Sequence, residues 1–241
     1  MLAVIHASRA IAWQRERLPL MTAGLEALGV QYRVTDAQQR QDDGLAILFG
    51  TTLWRRVEDT GPFLLVDRCS FGDTRHYVTL VRDGHGRRGD HRVSEGACAS
   101  RWEKHGVAVR PWRPGPRRVL CGQHESWSPR WRHIRDWYQS VRGATHFRRH
   151  PAGDNPTGLP ETREWAQVGQ AITLNSSVAV DAVLAGVPTV TMDEGAMAWS
   201  VTGHDPDDYV TPDRDEWLHW LAWTQWHWME IAEGKPWQHL L

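Results

Sequence analysis

Three polar residues in succession, Asn175, Ser176 and Ser177, separate the apolar run Ala171–Leu174 from a small-residue stretch ending at Gly186. All three are strong helix N-cap types. A helix start carries unpaired N–H groups and a partial positive charge, so "LNSSVAVDAVLAG" offers a cradle for a phosphate at a strand-to-helix turn. Plain capping is the competing account, while Ala179, Ala182, Ala185 and Gly186 allow close packing of the helix that follows. Neighbouring stretches point the same way. "FRRHP" sets Arg148, Arg149 and His150 at the end of a strand-like run, where charge-assisted hydrogen bonds can neutralise a diphosphate. A basic strand end exposed to water is the alternative. "MDEG" puts Asp193 and Glu194 beyond the next run, where a carboxylate can bond ribose hydroxyls or simply cap a helix. "CGQHESW" adds Gln123 and His124, facing the same ligand or serving only a turn.

A transfer reaction also needs a proton acceptor. Asp67 closes the apolar run "GPFLLVDR" and is placed just past the end of that strand. Open α/β sheets hold ligands at the carboxyl ends of their strands, which suits Asp67 to general-base work. Asp73 and Asp90 compete for the role. Both lie in a polar excursion from Cys69 to Gly96, with one short strand expected over His76–Val81. Other chemistries lack their signatures. There is no G-x-x-x-x-G-K-[ST], no G-x-G-x-x-G and no G-x-S-x-G elbow. Thirteen histidines include no H-E-x-x-H or comparable ligand spacing; "DGHGRRGDH" comes nearest, and no metal site is expected.

The elements that must position these residues alternate. "LAVIHAS" reads as a buried first strand, and Leu18, Met21, Leu25 and Leu28 follow at helical spacing up to Gly29. "QYRVTD", "GLAILFG" and "GPFLLVDR" read as strands two to four. Such alternation predicts a parallel, helix-covered sheet. "VRPWRPGPRR" (Val109–Arg118) reads as a Pro-rich linker, after which "VLCGQ", the helical "SPRWRHIRDWYQSV", "ATHFRRHP", "AITLN" and "PTVTMD" repeat the pattern. Two α/β halves with a cleft between them are expected: residues 1–112, residues 118–212, and a tail over 213–241. Seven of the fifteen tryptophans lie between Trp199 and Trp237. Trp217, Leu218, Trp220, Leu221, Trp223, Trp226 and Trp228 leave no polar stripe, so the tail reads as one buried helix packed across both halves.

The formal net charge of -1 hides an asymmetry. Arg101–His150 holds twelve Arg or Lys against three acids, and Thr191 to the end holds ten acids against two bases. Lys104 and Lys235 are the only lysines, an arginine bias that suits phosphates and that a GC-rich genome also produces. Three cysteines without C-x-x-C spacing disfavour a disulfide framework, and no signal peptide or membrane span is read. A cytoplasmic location is expected, without a membrane partner.

"THFRRHP" followed by "ITLNSSVAVDAVLAGVPTVTMD" resembles the donor half of GT-B glycosyltransferases, especially capsule-type sugar transferases. With "GAMAW" (Gly195–Trp199) and the Trp-rich tail, the layout is also similar to small phage-encoded proteins regarded as glycosyltransferases. The likeness is specific over Gly122–Trp199 and only architectural over the first 110 residues. It implies two facing Rossmann-like domains, with the nucleotide-sugar donor (a UDP-sugar foremost) in the second, the acceptor in the first, and no bound cofactor or metal. Carried over, Arg148 and His150 match the family's basic strand end, Ser176 and Ser177 its helix-start phosphate contacts, and Asp193 or Glu194 its ribose acid. The phage likeness implies double-stranded DNA with a hydroxymethylated pyrimidine as acceptor, contacted by Arg75, Arg87, Arg88 and Arg92. A saccharide or lipid-linked acceptor is the alternative, as is a non-catalytic nucleotide-binding protein of the same fold.

Overall fold

The computed structural model describes residues 2–8, 10–36, 44–50, 61–93, 99–123 and 134–241. The chain divides into two compact units, residues 1–105 with 218–241, and residues 106–217. Strands β1 (Leu2–His6), β2 (Gln31–Thr35), β3 (Leu45–Phe49), β4 (Phe63–Arg68) and β5 (Tyr77–Arg82) come first. Strands β6 (Arg117–Cys121), β7 (His146–Arg148), β8 (Val168–Thr173) and β9 (Thr189–Thr191) follow, and β10 (Gln225–His227) comes last.

The first unit holds a six-stranded sheet in the order β10-β5-β4-β3-β1-β2. The pairs β1–β2, β1–β3 and β3–β4 are parallel. All five residues of β3 are buried, as a strand covered on both faces requires. The all-parallel expectation fails at one side, where β5 runs antiparallel to β4 and β10 antiparallel to β5. The helix Ala12–Ala27 begins earlier than its apolar spacing suggests, because its first turns bury Gln14 in place of an apolar side chain. Gln14 Oε1 accepts from the Ser8 N–H at 2.7 Å, and its Nε2 donates to the Phe49 carbonyl at 3.2 Å. A buried amide satisfied at both ends is tolerated where an apolar residue was expected. Gly29 ends the segment at φ 65°, its N–H on the Glu26 carbonyl, the left-handed stop glycine permits.

The tail is not one helix. It forms the helix Asp215–Trp223, then β10, then short helices at Trp228–Ala232 and Trp237–Leu240. The reason is the edge left by β5, which β10 covers with backbone pairing. Gln225 fixes the register: its Oε1 accepts from the Ser70 N–H at 2.9 Å and the Thr79 hydroxyl at 3.1 Å. His227 then restarts the helix as a capping box with Glu230.

Arg101, on a helix over Ala99–His105 that the sequence did not announce, ties this tail down. Its guanidinium meets both oxygens of Glu230 at 2.8 and 2.9 Å and the carbonyls of Ala222 and Gln225 at 2.9 and 2.6 Å. It also lies over the Trp226 and Trp223 rings, at 4.4 and 5.0 Å. Burial alone would raise the Glu230 carboxyl; the Arg101 hydrogen bonds and the His227 N–H outweigh it and hold the group below the usual glutamate range.

The second unit holds a fully parallel sheet, β7-β6-β8-β9. The expected helix over 128–141 is described from Ile134 to Ser140, and residues 128–133 lie outside the described residues. The Pro-rich stretch does not behave as a linker. Its Arg110 and Arg113 N–H groups bond the Leu184 and Gly186 carbonyls at 2.9 Å each, and Trp112 Nε1 donates to Pro212 O at 2.9 Å. Proline denies it a regular ladder, so single backbone bonds and an indole fasten it instead.

Two outcomes follow. A Cβ at Gly24 would sit 1.9 Å from the Ile231 carbonyl oxygen, so Gly24→Ala should shift the urea midpoint down by about 1–3 kcal/mol of stability. An unchanged midpoint would mean that the helices over 12–27 and 228–232 do not meet. Glu230, lowered in the folded state, contributes stability that is complete above about pH 4.5 and is lost as pH falls through its folded value. Arg101→Met should cost on the order of 3 kcal/mol at neutral pH. Glu230→Gln should flatten the acid-side loss in chemical denaturation.

Candidate functional site

Polar residues gather at the carboxyl edge of the second unit's sheet, two residues past the strand ends. Gln123 follows β6, His150 follows β7, Asn175 follows β8 and Asp193 follows β9. Three of them form a hydrogen-bonded chain: Gln123 Nε2 donates to Asn175 Oδ1 at 2.6 Å, and Asn175 Nδ2 reaches Asp193 Oδ1 at 3.5 Å. The same Asp193 oxygen accepts the Gly195 N–H at 2.8 Å, which fixes the turn after β9. His150 is brought alongside by glycines. A Cβ at Gly122 would lie 2.9 Å from Phe147 Cζ and 3.1 Å from the His150 nitrogen, and one at Gly153 would touch both His150 Cβ and the Gln123 carbonyl. Buried Tyr138 steadies the first member, its hydroxyl accepting the Gln123 N–H at 2.6 Å while its ring packs edge-on against Phe147. Nothing in "RDWYQSV" announces that role.

Other expected donor contacts are placed differently. Arg148 stays within β7, on the face it shares with Cys121, its partner in register. Its guanidinium stacks on Trp165 at 4.4 Å and donates to the Arg163 carbonyl. Arg149 meets Glu161 at 3.6 Å, and both side chains are exposed. The helix after "NSS" runs only from Val178 to Leu184, and Ser177 at its N-cap position has helical dihedrals and makes no side-chain cap. Ser176 Oγ instead accepts the Val178 N–H at 3.3 Å. Glu194 is exposed beside buried Asp193. Burial pushes the Cys121 thiol up to about 12, which leaves no nucleophile there at neutral pH.

In the first unit, Asp67 lies inside β4, one residue before its end and not past it. Its Oδ1 accepts the Arg68 N–H at 2.8 Å, and its Oδ2 lies 3.2 Å from Nε2 of His85. Both side chains are part-buried, 31% and 22% exposed, so water screens the pair only partly. The excursion that carries His85 is tightly built. Asp83 takes φ 50°, Gly84 packs on Gly89 where a Cβ would clash at 2.5 Å, and Asp90 bonds back to Arg82. Buried His91 sets its two ring nitrogens 3.2 and 3.0 Å from the Leu80 and Gly86 carbonyls. The rival acids are spoken for: Asp73 meets His76 at 2.7 Å, which holds its carboxyl below the usual range, and Asp90 meets Arg92 at 3.4 Å. Of the arginines expected at DNA, Arg87 and Arg88 are exposed on a single 3-10 turn, whereas Arg92 also donates to the His239 carbonyl. Arg75 has its N–H on Asp73 and its carbonyl on Arg17.

No protein-family model matches the sequence, and no curated protein matches it. Solved structures do. A beta Kdo 2,7 transferase, KpsC of Thermosulfurimonas dismutans, superposes with a TM-score of 0.54 at 14% identity, covering 98% of this chain and 99% of that one. A beta Kdo 2,4 transferase, also KpsC of that organism, gives 0.51 at 11% identity over 92% and 89%. The chain shares the fold of these transferases. Among the described residues no helix is long and apolar enough to cross a membrane.

Arg148→Ala should lower stability by about 1–2 kcal/mol with no ligand present, because it removes a stacked cation and a carbonyl's donor. Thermal melts of ligand-free protein decide this. A melt unchanged from wild type would return Arg148 to the set of residues held for a ligand.

Proposed function

We propose that this chain transfers a glycosyl group from a nucleotide-sugar donor to a hydroxyl acceptor. The observation that carries the reading is the chain Gln123–Asn175–Asp193, which sets amide and carboxylate groups side by side at the carboxyl edge of a fully parallel sheet. Such an edge is where open α/β sheets take nucleotides, with a carboxylate for ribose hydroxyls. Arg149 and His150, past the end of β7, would add charge against the leaving phosphate, and Ser176 and Ser177 would line the approach. Asp67, whose Oδ2 lies 3.2 Å from Nε2 of His85, is the residue proposed to take the acceptor's proton. The shared fold with two Kdo transferases supports sugar transfer as the reaction class.

The same likeness favours a sugar hydroxyl over a base in duplex DNA as acceptor. Of the expected DNA contacts, Arg92 is engaged within its own unit, while Arg87 and Arg88 are exposed. A DNA acceptor would call instead for a face of arginines bound to phosphate, with affinity falling steeply as salt rises.

Thermal shifts against UDP, GDP, CDP, ADP and CMP test the donor reading. Ligand at about a hundred times Kd adds roughly 2.7 kcal/mol. One nucleotide should stand out, and Asn175→Ala should abolish its shift while leaving the ligand-free melt within about 1 kcal/mol of wild type. No shift with any of the five would overturn the proposal. Salt-sensitive binding of hydroxymethylated duplex DNA would restore DNA as acceptor.

A further inference from the structure

We propose that Gln123 selects the nucleoside of the donor: its side-chain oxygen accepts a hydrogen bond from a ribose O–H or a base N–H, and Asp193 sets that orientation through Asn175. The inference rests on the nucleotide-sugar reading proposed above and lies wholly within the second unit. A carboxamide can be turned either way, presenting its oxygen or its NH2, and its own shape does not decide which. Here the far end of the chain decides. Asp193 Oδ1 accepts the Gly195 backbone N–H at 2.8 Å, and a carboxylate has only acceptors to offer. Asn175 must therefore face it with Nδ2, at 3.5 Å. That turns Asn175 Oδ1 towards Gln123, which must answer with Nε2, at 2.6 Å. Oε1 is then the atom of the Gln123 amide that the chain does not use.

The backbone that carries this amide is fixed. The Gln123 N–H donates to the buried Tyr138 hydroxyl at 2.6 Å, and Gly122 before it packs so closely that a Cβ would lie 2.9 Å from Phe147 Cζ. Gln123 and Asn175 are themselves only half-buried, so a ligand can reach them. Among the described residues no group meets Gln123 Oε1. The chain thus uses one Nε2 proton and neither lone pair of the oxygen. An ionised phosphate carries acceptors alone and can take only the remaining proton. A ligand that pairs with the oxygen must bring a donor, and on a nucleotide the donors are the ribose hydroxyls and the N–H groups of the base. One that covers Oε1 without a donor strips it of water and leaves it unpaired, which is how a polar site rejects the wrong ligand.

Two measurements test this with the full chain. In spectra of ligand-free wild-type protein labelled with nitrogen-15 and carbon-13, a coupling across the hydrogen bond should link Gln123 Nε2 to the side-chain carbonyl carbon of Asn175. A coupling in the opposite sense, from Asn175 Nδ2 to the Gln123 carbonyl carbon, would overturn the orientation whatever the protein binds. Calorimetry then uses the nucleotide selected by the shift screen, its 2′-deoxy and 3′-deoxy forms, and the form with its base N–H groups methylated. Gln123→Met keeps the length of the side chain and removes the acceptor, so it should weaken the parent nucleotide by about tenfold. One analogue should lose about as much on wild-type protein and nothing further on Gln123→Met, and its identity separates a ribose hydroxyl from a base N–H. Affinity of Gln123→Met within about twofold of wild type would overturn the role of Gln123 while leaving nucleotide binding standing. Losses that simply add for every analogue would overturn it in the same way. No nucleotide shift in wild-type protein would remove the donor reading itself, and selection by Gln123 with it.

Discussion

Parallel pairing sends the carboxyl ends of all participating strands to one edge, and the candidate chemistry depends on that constraint. In the second unit it turns four residues far apart in sequence, Gln123, His150, Asn175 and Asp193, into neighbours. No single segment could hold them so, because each side chain is anchored by a different buried strand. The apolar filling on either face, with Leu120, Phe147 and Ile172 on one side and Val119, Cys121 and Ala171 on the other, makes the edge rigid. Polar groups there can keep a geometry set before any ligand arrives.

The first unit meets the same constraint with a departure. Three strands join β1 in parallel fashion, but β4 is flanked by an antiparallel neighbour, and the loop leaving β5 can then fold back over the sheet face that carries Asp67. A crossover helix in that position would have carried the chain away. The antiparallel turn is thus what lets a histidine eighteen residues downstream meet a strand carboxylate.

Much of this was legible in the residues. Apolar runs without alternation located β1, β3, β4 and β8, because strands buried on both faces leave no polar register to confuse with a helix. "CGQ", "RRHP", "NSS" and "MDE" were placed at strand ends for the same reason. The roles within those stretches were not legible. Arg148 belongs to its strand, and strand parity turns it to the Cys121 face, a fact that depends on one residue of register. The tail misled because its tryptophans are apolar at every helical phase, which fits a buried strand and two short helices as well as one long helix. His85 could be suspected only from the glycines bracketing it, since its partner is brought by sheet pairing and by no local spacing.

The first unit is discontinuous: β10 pairs with β5 across a separation of 146 residues, with the whole second unit encoded between them. During synthesis β5 must therefore wait with an unpaired edge while the intervening unit emerges and folds. Long-range pairing of this kind is slow and exposes the edge to wrong partners. The order of assembly is thus imposed by the gene: the middle completes first, and the beginning completes only with the end. A circular permutant carrying residues 218–241 ahead of β1 would reverse that order and give β5 its partner as soon as it was made.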